Sequence, residues 1–512
     1  MDHWTDSYIT SVEYTKHYYH HLNPLRLKLL CLQQEFQYPR ITTACELGYG
    51  QGLSVNVHAA ASDIKWYGTD FLPAHAKLAE EMAKASGADI EISGQSFGEF
   101  CARKDLPDFD YICLHGVWTW ISSENREIII DFLRRKLKSG GIANISYNTL
   151  PGWSNMIALR DQMMEYIDKV AHPSDDLVEQ SKTALQFVNN LLTASPDFTK
   201  ANPKVQNRLG EMQKQNNPHY LAHEFFNKNW VPMTFSSVHS FLKPAELTYL
   251  GSADYLNNID IANLNKAQLA QVNGIADPSM RETARDFLLN TSFRRDIWIK
   301  GPTQLSAQER TRIIREQLVL KVKTSERPPE HISTNLGKVK LKPAIYGPVL
   351  DALATYQPKT IGEIEAHCKN QKISLEQIIQ AILVLSSTGM VAPVGENSSI
   401  EKSNSQSENF NAYLLNGAVS NQEYQILSSP VIGGAIEIDK VGLLFIHALK
   451  QGNKTPRDCA KFILNTVSEH GQAFKVSGQP LDEPKDALKV LTVDAKKFFD
   501  QQQALLAALK II

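Results

Sequence analysis

Three glycines at alternate positions, Gly48, Gly50 and Gly52, follow an apolar run that begins at Ile41. A glycine turn between a strand and a helix lets backbone N–H groups approach a ligand at the positive end of the helix, which favours an anion. Dinucleotide-binding turns and simple packing of a helix on a strand use similar spacing, so the glycines alone do not identify the ligand.

Two carboxylates near this turn narrow the choice of ligand. Glu46 ends the first apolar run, and Asp70 ends the second, 18 residues after Gly52. An acid at position 46 would attract an ammonium group and repel a pyrophosphate, whereas an acid after the second strand can accept hydrogen bonds from both ribose hydroxyls. Because no second nucleotide-binding half with its own glycine turn follows, the pattern predicts a nucleoside that carries an ammonium group.

Residues that could act on a second substrate follow the fourth and fifth predicted strands. His115 and Trp118 follow the fourth strand, Tyr147 and Asn148 end the fifth, and Trp153 lies shortly beyond it. Parallel sheets bind ligands at the carboxyl ends of their strands, so these five residues are the candidate catalytic set. His115 could accept a proton or only brace its loop, and Tyr147 could position an amine. The two tryptophans could equally be core residues.

These residues require a parallel sheet that brings the ends of several strands together. Between residues 41 and 147, short apolar runs alternate with segments of helical periodicity, which is typical of βαβ units. The segment 122–140 has a serine N-cap, an acidic first turn, basic residues late and Gly140 at its end, and it predicts a crossover helix. The predicted strands are 41–46, 64–69, 89–93, 109–114 and 142–147, with 247–253 and 294–301 as candidates that complete the same sheet.

The segments ELGYGQG, FDYICLHGVWTWIS, SYNTLPGW, HEFFNKNWVPMTF and FRRDIWIKG together resemble class I S-adenosylmethionine-dependent methyltransferases. More closely, they resemble the bacterial group with a methyltransferase regulatory region, which includes the rickettsial protein lysine methyltransferases. The resemblance covers most of the chain. It implies S-adenosylmethionine as cofactor and a protein lysine as methyl acceptor, on a surface or outer-membrane protein. Methylation of a small molecule or another nitrogen, and a catalytically silent cofactor-binding protein that recruits a partner, are the alternatives.

The resemblance also implies which residues contact each part of the cofactor. Glu46 would contact the ammonium, the glycines would let the backbone approach the methionine part, and Asp70 would hold the ribose. Related enzymes often carry an acid near the adenine after the third strand, but this sequence has Ser96 and Phe97 there. The segment from Ser96 to Glu99 is equally a capping box that starts a helix. The predicted cofactor-binding set is Glu46, Gly48, Gly50, Gly52, Asp70, Phe71, Ser96, Phe97 and His115.

The predicted fold is α/β, with accessory parts on either side of a Rossmann-like class I methyltransferase sheet. In the N-terminal part, Tyr14, Tyr18 and Tyr19 could fold over the site or form an ordinary packing stripe. The polar segment 395–409 is predicted to be a linker. The expected parts are a helical lid at 1–40, the cofactor-binding core at 41–155, a helical insertion at 156–219, a regulatory region that completes the core sheet at 220–301, a winged-helix-like domain at 302–400 and a C-terminal helical domain at 410–512.

Charge and cysteine content restrict the partners and the compartment. The chain has 53 Lys and Arg against 55 Asp and Glu, and residues 302–400 have 12 against 9, too balanced for a nucleic-acid-binding face. Six scattered cysteines without CxxC spacing indicate neither a disulfide framework nor a zinc site. The longest apolar runs are too short for a membrane span. We therefore expect a cytoplasmic protein with a protein substrate, no nucleic acid and no membrane insertion, and a homodimer is compatible with the sequence.

One histidine pair superficially resembles a metal site. His219 and His223 are four residues apart and are followed by Glu224. Metalloproteases place the acid between the two histidines, and this sequence does not. We therefore predict no metal.

Overall fold

The computed structural model describes residues 16–172, 176–194, 196–215, 227, 229–419, 424–469, 475–476, 479–480 and 484–512. Tyr14 of the predicted lid, and the group formed by His219, His223 and Glu224, lie outside these residues. Within the described part of the chain, no helix is long and apolar enough to cross a membrane. All six cysteines are buried free thiols.

A seven-stranded sheet forms the centre of the N-terminal half. Its strands are β1 Thr43–Leu47, β2 Lys65–Thr69, β3 Ile90–Ser93, β4 Phe109–Leu114, β5 Leu137–Asn148, β6 Leu247–Ser252 and β7 Phe293–Lys300. Their order is β3-β2-β1-β4-β5-β7-β6. The first five pair in parallel, and β7 runs antiparallel to its neighbours β5 and β6. The predicted Rossmann-like sheet, completed by two later strands, is confirmed.

Helix α1 Pro24–Gln33 precedes the sheet, and four further helices connect its parallel strands. The connecting helices are α2 Leu53–Ala60, α3 Pro73–Ser86, α4 Phe97–Cys101 and α5 Ser123–Lys136. In α5, the Ser122 side chain accepts a hydrogen bond from the Asn125 backbone N–H at 3.2 Å. The last turn carries three basic residues at the negative end of the helix. The predicted crossover helix is therefore confirmed, but it ends at Lys136, and Gly140, which was expected just past its end, lies inside β5.

The insertion and the region that follows it are mainly helical. Their helices are α6 Leu150–Lys169, α7 Leu177–Ala194, α8 Pro196–Ala201, α9 Pro203–Gln215, α10 Phe235–Leu242, α11 Asp260–Asn263, α12 Lys266–Asn273 and α13 Pro278–Leu289. The first turn of α6 packs tightly on the loop before β7, because a Cβ at Gly152 would lie 2.4 Å from Ser292 Cα. The Gly152 N–H donates to the Thr291 carbonyl at 2.9 Å. This contact fixes the insertion to the edge of the sheet where β5 ends.

The segment after residue 301 shares its apolar core with the sheet. Its elements are α14 Ala307–Arg315, β8 Leu318–Lys321, β9 His331–Thr334, β10 Gly337–Lys340, α15 Pro343–Ala352, β11 Lys359–Thr360, α16 Ile361–His367, α17 Leu375–Ser387 and β12 Val391–Pro393. Strands β11, β8 and β12 form a small antiparallel sheet. Leu30 and Tyr111 belong to the same hydrophobic cluster as Ile361 and Leu385. The resemblance to a winged helix stays a prediction.

The prediction of a polar linker at 395–409 is wrong, because a helix covers most of it. The C-terminal elements are α18 Asn397–Val419, β13 Ile426–Ser429, β14 Gly434–Glu437, α19 Lys440–Lys450, α20 Pro456–Glu469, β15 Lys475–Val476, β16 Gln479–Pro480 and α21 Pro484–Ala508. Ser403 and Ser407 of α18 are buried, and the Ser407 hydroxyl donates to the Ala60 carbonyl at 2.9 Å. Small hydroxyl side chains that bond to backbone carbonyls let this polar helix pack closely against α2.

Candidate active site

An open cavity lies at the carboxyl ends of β1, β2 and β4. All nine residues of the predicted cofactor-binding set line it. The fold brings them together because parallel strands end at the same edge, and a crevice opens where the strand order reverses between β1 and β4. Their role in binding stays a prediction.

The turn after β1 requires glycine for two separate reasons. Gly48, Gly50 and Gly52 have φ angles of 73°, 60° and 80°, which residues with a Cβ rarely adopt. A Cβ at Gly48 would lie 2.6 Å from Val117 Cγ2, and a Cβ at Gly52 would lie 2.4 Å from Ala79 Cβ. The glycines therefore keep α2 against α3 and leave the cavity open beside the turn.

Asp70 ties the turn to the end of the second strand. Its Oδ2 accepts the Gly50 N–H at 2.9 Å, and its Oδ1 accepts the Leu72 N–H at 3.1 Å. His75 Nδ1 lies 3.2 Å from the same Oδ1. The carboxylate thus orders the turn, and its remaining lone pairs can accept hydrogen bonds from a ligand. Sequence reasoning missed His75, which lies inside a helix and carries no motif signal.

Glu46 is a buried carboxylate without a matching cation. It is 2% exposed, and its Oε2 has no hydrogen-bond partner. Burial, with a smaller contribution from Asp70, raises the pKa of Glu46 from its ordinary value to about 8. Because an isolated carboxylate is costly to bury, a ligand that brings a positive charge to this oxygen would be strongly favoured.

The segment after β3 both starts a helix with a capping box and lines the cavity. Ser96 and Glu99 form the predicted capping box, in which the Ser96 side chain accepts the Glu99 N–H and the Glu99 carboxylate accepts the Ser96 N–H. Ser96 and Phe97 also line the cavity. A capping box fixes the start of α4, so it holds the Phe97 ring at the cavity wall.

His115 lies on the cavity wall within a packed aromatic group. Its Nδ1 is 2.9 Å from Ser146 Oγ and 3.0 Å from His21 Nε2, and its ring centre is 4.1 Å from that of Tyr19. Burial, followed by the positive charge of Arg295, lowers the pKa of His115 to about 3. Moving a proton from a lysine of pKa near 10.4 to such a ring would cost roughly 10 kcal/mol. The geometry therefore favours the bracing role over the proton-accepting role.

Four of the five predicted catalytic residues do not line this cavity. Successive strand residues point to opposite faces, and Ser146 points to His115, so Tyr147 points away and donates to Asp296 Oδ2 at 2.5 Å. Trp118 is fully buried in the hydrophobic cluster that also contains Tyr147. Trp153 packs into the core of the insertion. Their proposed contact with an acceptor is therefore not supported by their position.

Trp120, which sequence reasoning missed, takes the place expected of these tryptophans. It lines the cavity, and its ring centre lies 6.0 Å from that of Trp230, which in turn lies 5.2 Å from that of Trp153. In the segment VWTWIS, both tryptophans follow the strand by a few residues. Only the path of the loop decides that Trp118 enters the core and Trp120 faces the cavity.

Asn148, the remaining member of the predicted catalytic set, ends β5 opposite Phe293. It is 4% exposed, and its Nδ2 has no hydrogen-bond partner. Asn148 does not line the cavity. It lies on the same strand face as Ser146, one step further towards the edge, and its amide group is the polar donor that the fold leaves unsatisfied there.

The described part of the predicted lid joins the cavity to the C-terminal region. Tyr19 lines the cavity, and its backbone N–H donates to Ser54 Oγ at 2.8 Å. The neighbouring Tyr18 hydroxyl accepts the Ala435 N–H at 3.1 Å, and the Asn23 side chain donates to the Ile432 carbonyl at 2.8 Å. The turn between β13 and β14 therefore supports the segment that forms one wall of the cavity.

Comparisons with known proteins agree with this architecture. Residues 217–300 match the family model described as a predicted methyltransferase regulatory domain. The uncharacterized protein sll1526 of Synechocystis is 31% identical over 99% of both chains. The uncharacterized protein RP789 of Rickettsia prowazekii is 25% identical over 72% of this chain and 66% of its own length.

Solved structures support the same fold. The structure of PKMT2 from Rickettsia typhi in complex with AdoHcy has a TM-score of 0.71 and 18% identity, and it covers 97% of this chain and 99% of its own. At this level of identity, the likeness establishes a common fold. The chain belongs to the family that contains the Synechocystis protein, and it combines a class I S-adenosylmethionine-dependent methyltransferase fold with a methyltransferase regulatory domain.

Proposed function

We propose that this protein is an S-adenosylmethionine-dependent methyltransferase that modifies lysine side chains of a protein. The observation that carries the cofactor assignment is the buried Oε2 of Glu46, which has no hydrogen-bond partner and belongs to a residue that lines the cavity. The ammonium of the methionine part would supply the missing cation. The Rickettsia typhi structure that shares this fold contains AdoHcy, which has the same ammonium group.

The other walls of the cavity fit the nucleoside part of this cofactor. Asp70 keeps acceptor capacity for one ribose hydroxyl, because a carboxylate has about four lone-pair positions and three are used by Gly50, Leu72 and His75. Phe71 and Phe97 provide apolar surface for the adenine. We therefore place the methionine part at Glu46, the ribose at Asp70 and the adenine beside Phe71 and Phe97.

The proposed reaction places most of its demands on geometry. The acceptor nitrogen forms a bond to the methyl carbon while the bond from sulfur to that carbon breaks, and S-adenosylhomocysteine leaves with the electron pair. A lysine reacts as the neutral amine, and releasing its proton to water at pH 7 costs roughly 4.6 kcal/mol. Burial of the amine beside Tyr19 and Trp120 would lower its pKa and reduce that cost. His115 would hold the cavity wall in this proposal and would not act as the base.

The choice of a protein lysine rests on the resemblance to the rickettsial protein lysine methyltransferases. The fold shared with PKMT2 over 97% of this chain, including the parts after residue 301, supports it. A surface or outer-membrane protein is the acceptor that this resemblance implies. Methylation of a small molecule or another nitrogen, and cofactor binding without catalysis, are the competing outcomes of the test.

The test is to incubate the purified full chain with S-adenosylmethionine that carries a deuterated methyl group and with separate surface and cytosolic protein fractions. Mass spectrometry should then find the deuterated methyl on lysine ε-nitrogens. The full chain is required because residues 302–400 share their apolar core with α1 and the sheet. Label confined to small molecules or to other nitrogens would contradict the lysine assignment. Tight AdoHcy binding without any transfer would favour the silent protein, and no binding would overturn the proposal.

A further inference from the structure

A second, polar cavity lies beside β6, β7 and the end of α13. Phe293 lines this cavity, and its ring packs edge-on against the ring of His115 at 5.7 Å. His115 in turn lines the cofactor cavity. The two cavities therefore meet at this ring contact, at the edge where β5 ends and β7 begins.

Two buried polar atoms at the second cavity have no partner. Asp286 is 4% exposed, and its Oδ1 accepts Arg294 Nη1 at 2.9 Å while its Oδ2 has no hydrogen-bond partner. Arg285, the neighbouring residue on α13, has an unpartnered Nε. A buried carboxylate oxygen and a buried guanidinium N–H without partners are both costly, so a ligand with one donor and one acceptor would stabilise them.

The charged groups around this cavity favour a cation at one position. Arg294 forms ion pairs of 2.9 Å with Glu282, Asp286 and Asp296. Arg285 forms an ion pair of 3.0 Å with Asp260. The charged lining itself is balanced, because Asp286 and Asp296 face Arg285 and Arg294, whereas Glu282 and Asp260 pair with the two arginines from outside the lining. The unpartnered Asp286 Oδ2 is therefore the feature that favours a basic side chain, because a cation there would pair with the remaining carboxylate oxygen.

We propose that this cavity is a subsite for a basic side chain of the polypeptide acceptor, bound next to the lysine that receives the methyl group. The basic side chain would donate to Asp286 Oδ2, and a carbonyl of the same polypeptide would accept from Arg285 Nε. The inference rests on the proposed function, because it assumes a polypeptide substrate at the neighbouring site. It adds a sequence preference that methyl transfer itself does not require.

The test uses paired synthetic peptides with one acceptor lysine and a second residue two, three or four positions away. In one peptide of each pair the second residue is arginine, and in the other it is citrulline, which keeps the shape without the charge. Since a hydrogen bond to a charged group contributes a factor of about ten or more, KM for the arginine peptide should be about tenfold lower at one spacing or more. Equal KM values at every spacing would overturn the subsite.

Asp286→Asn is the test variant, and Glu282→Gln is its matched control. Both lie on α13, contact Arg294 and lose one negative charge, but only Asp286 lines the cavity. Asp286→Asn should reduce the preference for arginine to within twofold, with unchanged AdoHcy affinity, whereas Glu282→Gln should retain most of it. Equal loss in both variants would assign the preference to long-range charge and contradict a built subsite.

A binding measurement separates failure of the subsite from failure of the proposed function. If the enzyme methylates no peptide, fluorescence anisotropy of the labelled arginine and citrulline peptides on the AdoHcy-loaded protein decides the question. Preferential binding of arginine that Asp286→Asn abolishes would support the subsite even though lysine methylation has failed. Equal binding of both peptides would overturn it.

Discussion

The cofactor cavity and the buried ion-pair network around Arg294 differ in how they treat buried polar groups. In the cofactor cavity, Glu46 is buried without a cation, and its pKa is raised to about 8. On the opposite face of β5, the buried Tyr147 hydroxyl donates to Asp296, which also accepts Arg294 Nε at 2.9 Å. Each region leaves one carboxylate oxygen unpartnered, Glu46 Oε2 or Asp286 Oδ2, but the second already contains a cation, Arg294, that pairs with most of its carboxylate oxygens.

This difference suggests how the two regions would work. An unpaired carboxylate gives a cationic ligand a large share of its binding energy, because the ligand removes an existing penalty. A neutral, packed ring such as His115, with a pKa near 3, contributes shape and does not take part in proton transfer at pH 7. Cofactor binding would therefore respond strongly to charge and pH at Glu46, whereas changes in the Tyr147 network would lower stability without changing turnover.

The largest effect is expected from Gly52→Ala, which adds a Cβ only 2.4 Å from Ala79 Cβ. AdoHcy affinity measured by calorimetry should fall by at least about a hundredfold, because relieving this overlap displaces the turn at a free-energy cost of roughly 3 kcal/mol. Gly87→Ala is the control, because Gly87 also has a positive φ, 66°, but its Cβ would meet nothing within 4 Å. It should cost about 1 kcal/mol of stability and leave affinity unchanged. Normal AdoHcy affinity in Gly52→Ala would contradict the close packing described here.

Glu46→Gln should weaken AdoHcy binding by about ten- to a hundredfold at pH 8, through loss of roughly 1.5–3 kcal/mol of charge-assisted hydrogen bonding. In the wild type, affinity should increase as pH rises towards 8, because below that value the ammonium must displace a proton from Glu46. The variant should lose this dependence on Glu46, and calorimetry between pH 6 and 8 measures both. The same slope in both proteins would remove Glu46 from the ammonium contact.

The unliganded protein should show the opposite effect of the Glu46 substitution on stability. The folded pKa, about 8, lies above the ordinary value of 4.5, so protonation of Glu46 stabilises the fold at low pH. That contribution is lost as pH rises through the folded pKa. Thermal unfolding at pH 8.5 should therefore show that Glu46→Gln is more stable than the unliganded wild type, and a lower Tm would contradict the buried, unpaired carboxylate.

Tyr147→Phe should lower the free energy of unfolding by about 1–2 kcal/mol, because it removes the hydrogen bond to Asp296. AdoHcy affinity and kcat should stay unchanged, since the hydroxyl points away from the cavity. Tyr49→Phe is the control from the cofactor side, where the hydroxyl donates to the Ser93 carbonyl at 2.8 Å. That variant should weaken AdoHcy binding. A loss of kcat in Tyr147→Phe at unchanged stability would return Tyr147 to the acceptor site.

The smallest effect is expected from Ser407→Ala, which tests the contact between α18 and α2, the helix that follows the glycine turn. Loss of the hydrogen bond to the Ala60 carbonyl should cost about 1 kcal/mol in denaturant unfolding. Ser405→Ala, on the exposed side of the same helix, should change stability by less than about 0.5 kcal/mol. Equal effects of the two variants would show that the buried contact does not contribute.

Local sequence patterns predicted the seven strands and the crossover helix well. All seven strands lie within a few residues of their predicted positions, because alternating apolar runs and helix caps act over short distances. The prediction of a polar linker at 395–409 was wrong because the burial of this segment depends on contacts that are distant in the chain. Its serines indicate exposure in any local window, and only α2 and its Ala60 carbonyl make the burial of Ser407 favourable.

The residues of the candidate site also fall into two groups, those that local sequence patterns could identify and those that they could not. Glu46, the glycines and Asp70 could be found because their spacing from strand ends fixes them at one edge of the sheet. His75 and Trp120 could not be found, because a helix and a loop bring them to the cavity without any periodic signal. The sequence could predict which way Tyr147 points only if the contact between its neighbour Ser146 and His115 were already known.

The sequence by itself determined the order of strands and helices, the glycine turn and the acids at its side, because each depends on residues close together in the chain. Tertiary structure alone decided that Trp118 is core and Trp120 faces the cavity, and that residues 302–400 share a core with the sheet. It also decided that the unpaired oxygens of Glu46 and Asp286 lie in buried positions at two adjacent cavities. Burial and missing partners depend on the whole packed fold, and the free energy of a charge depends on both.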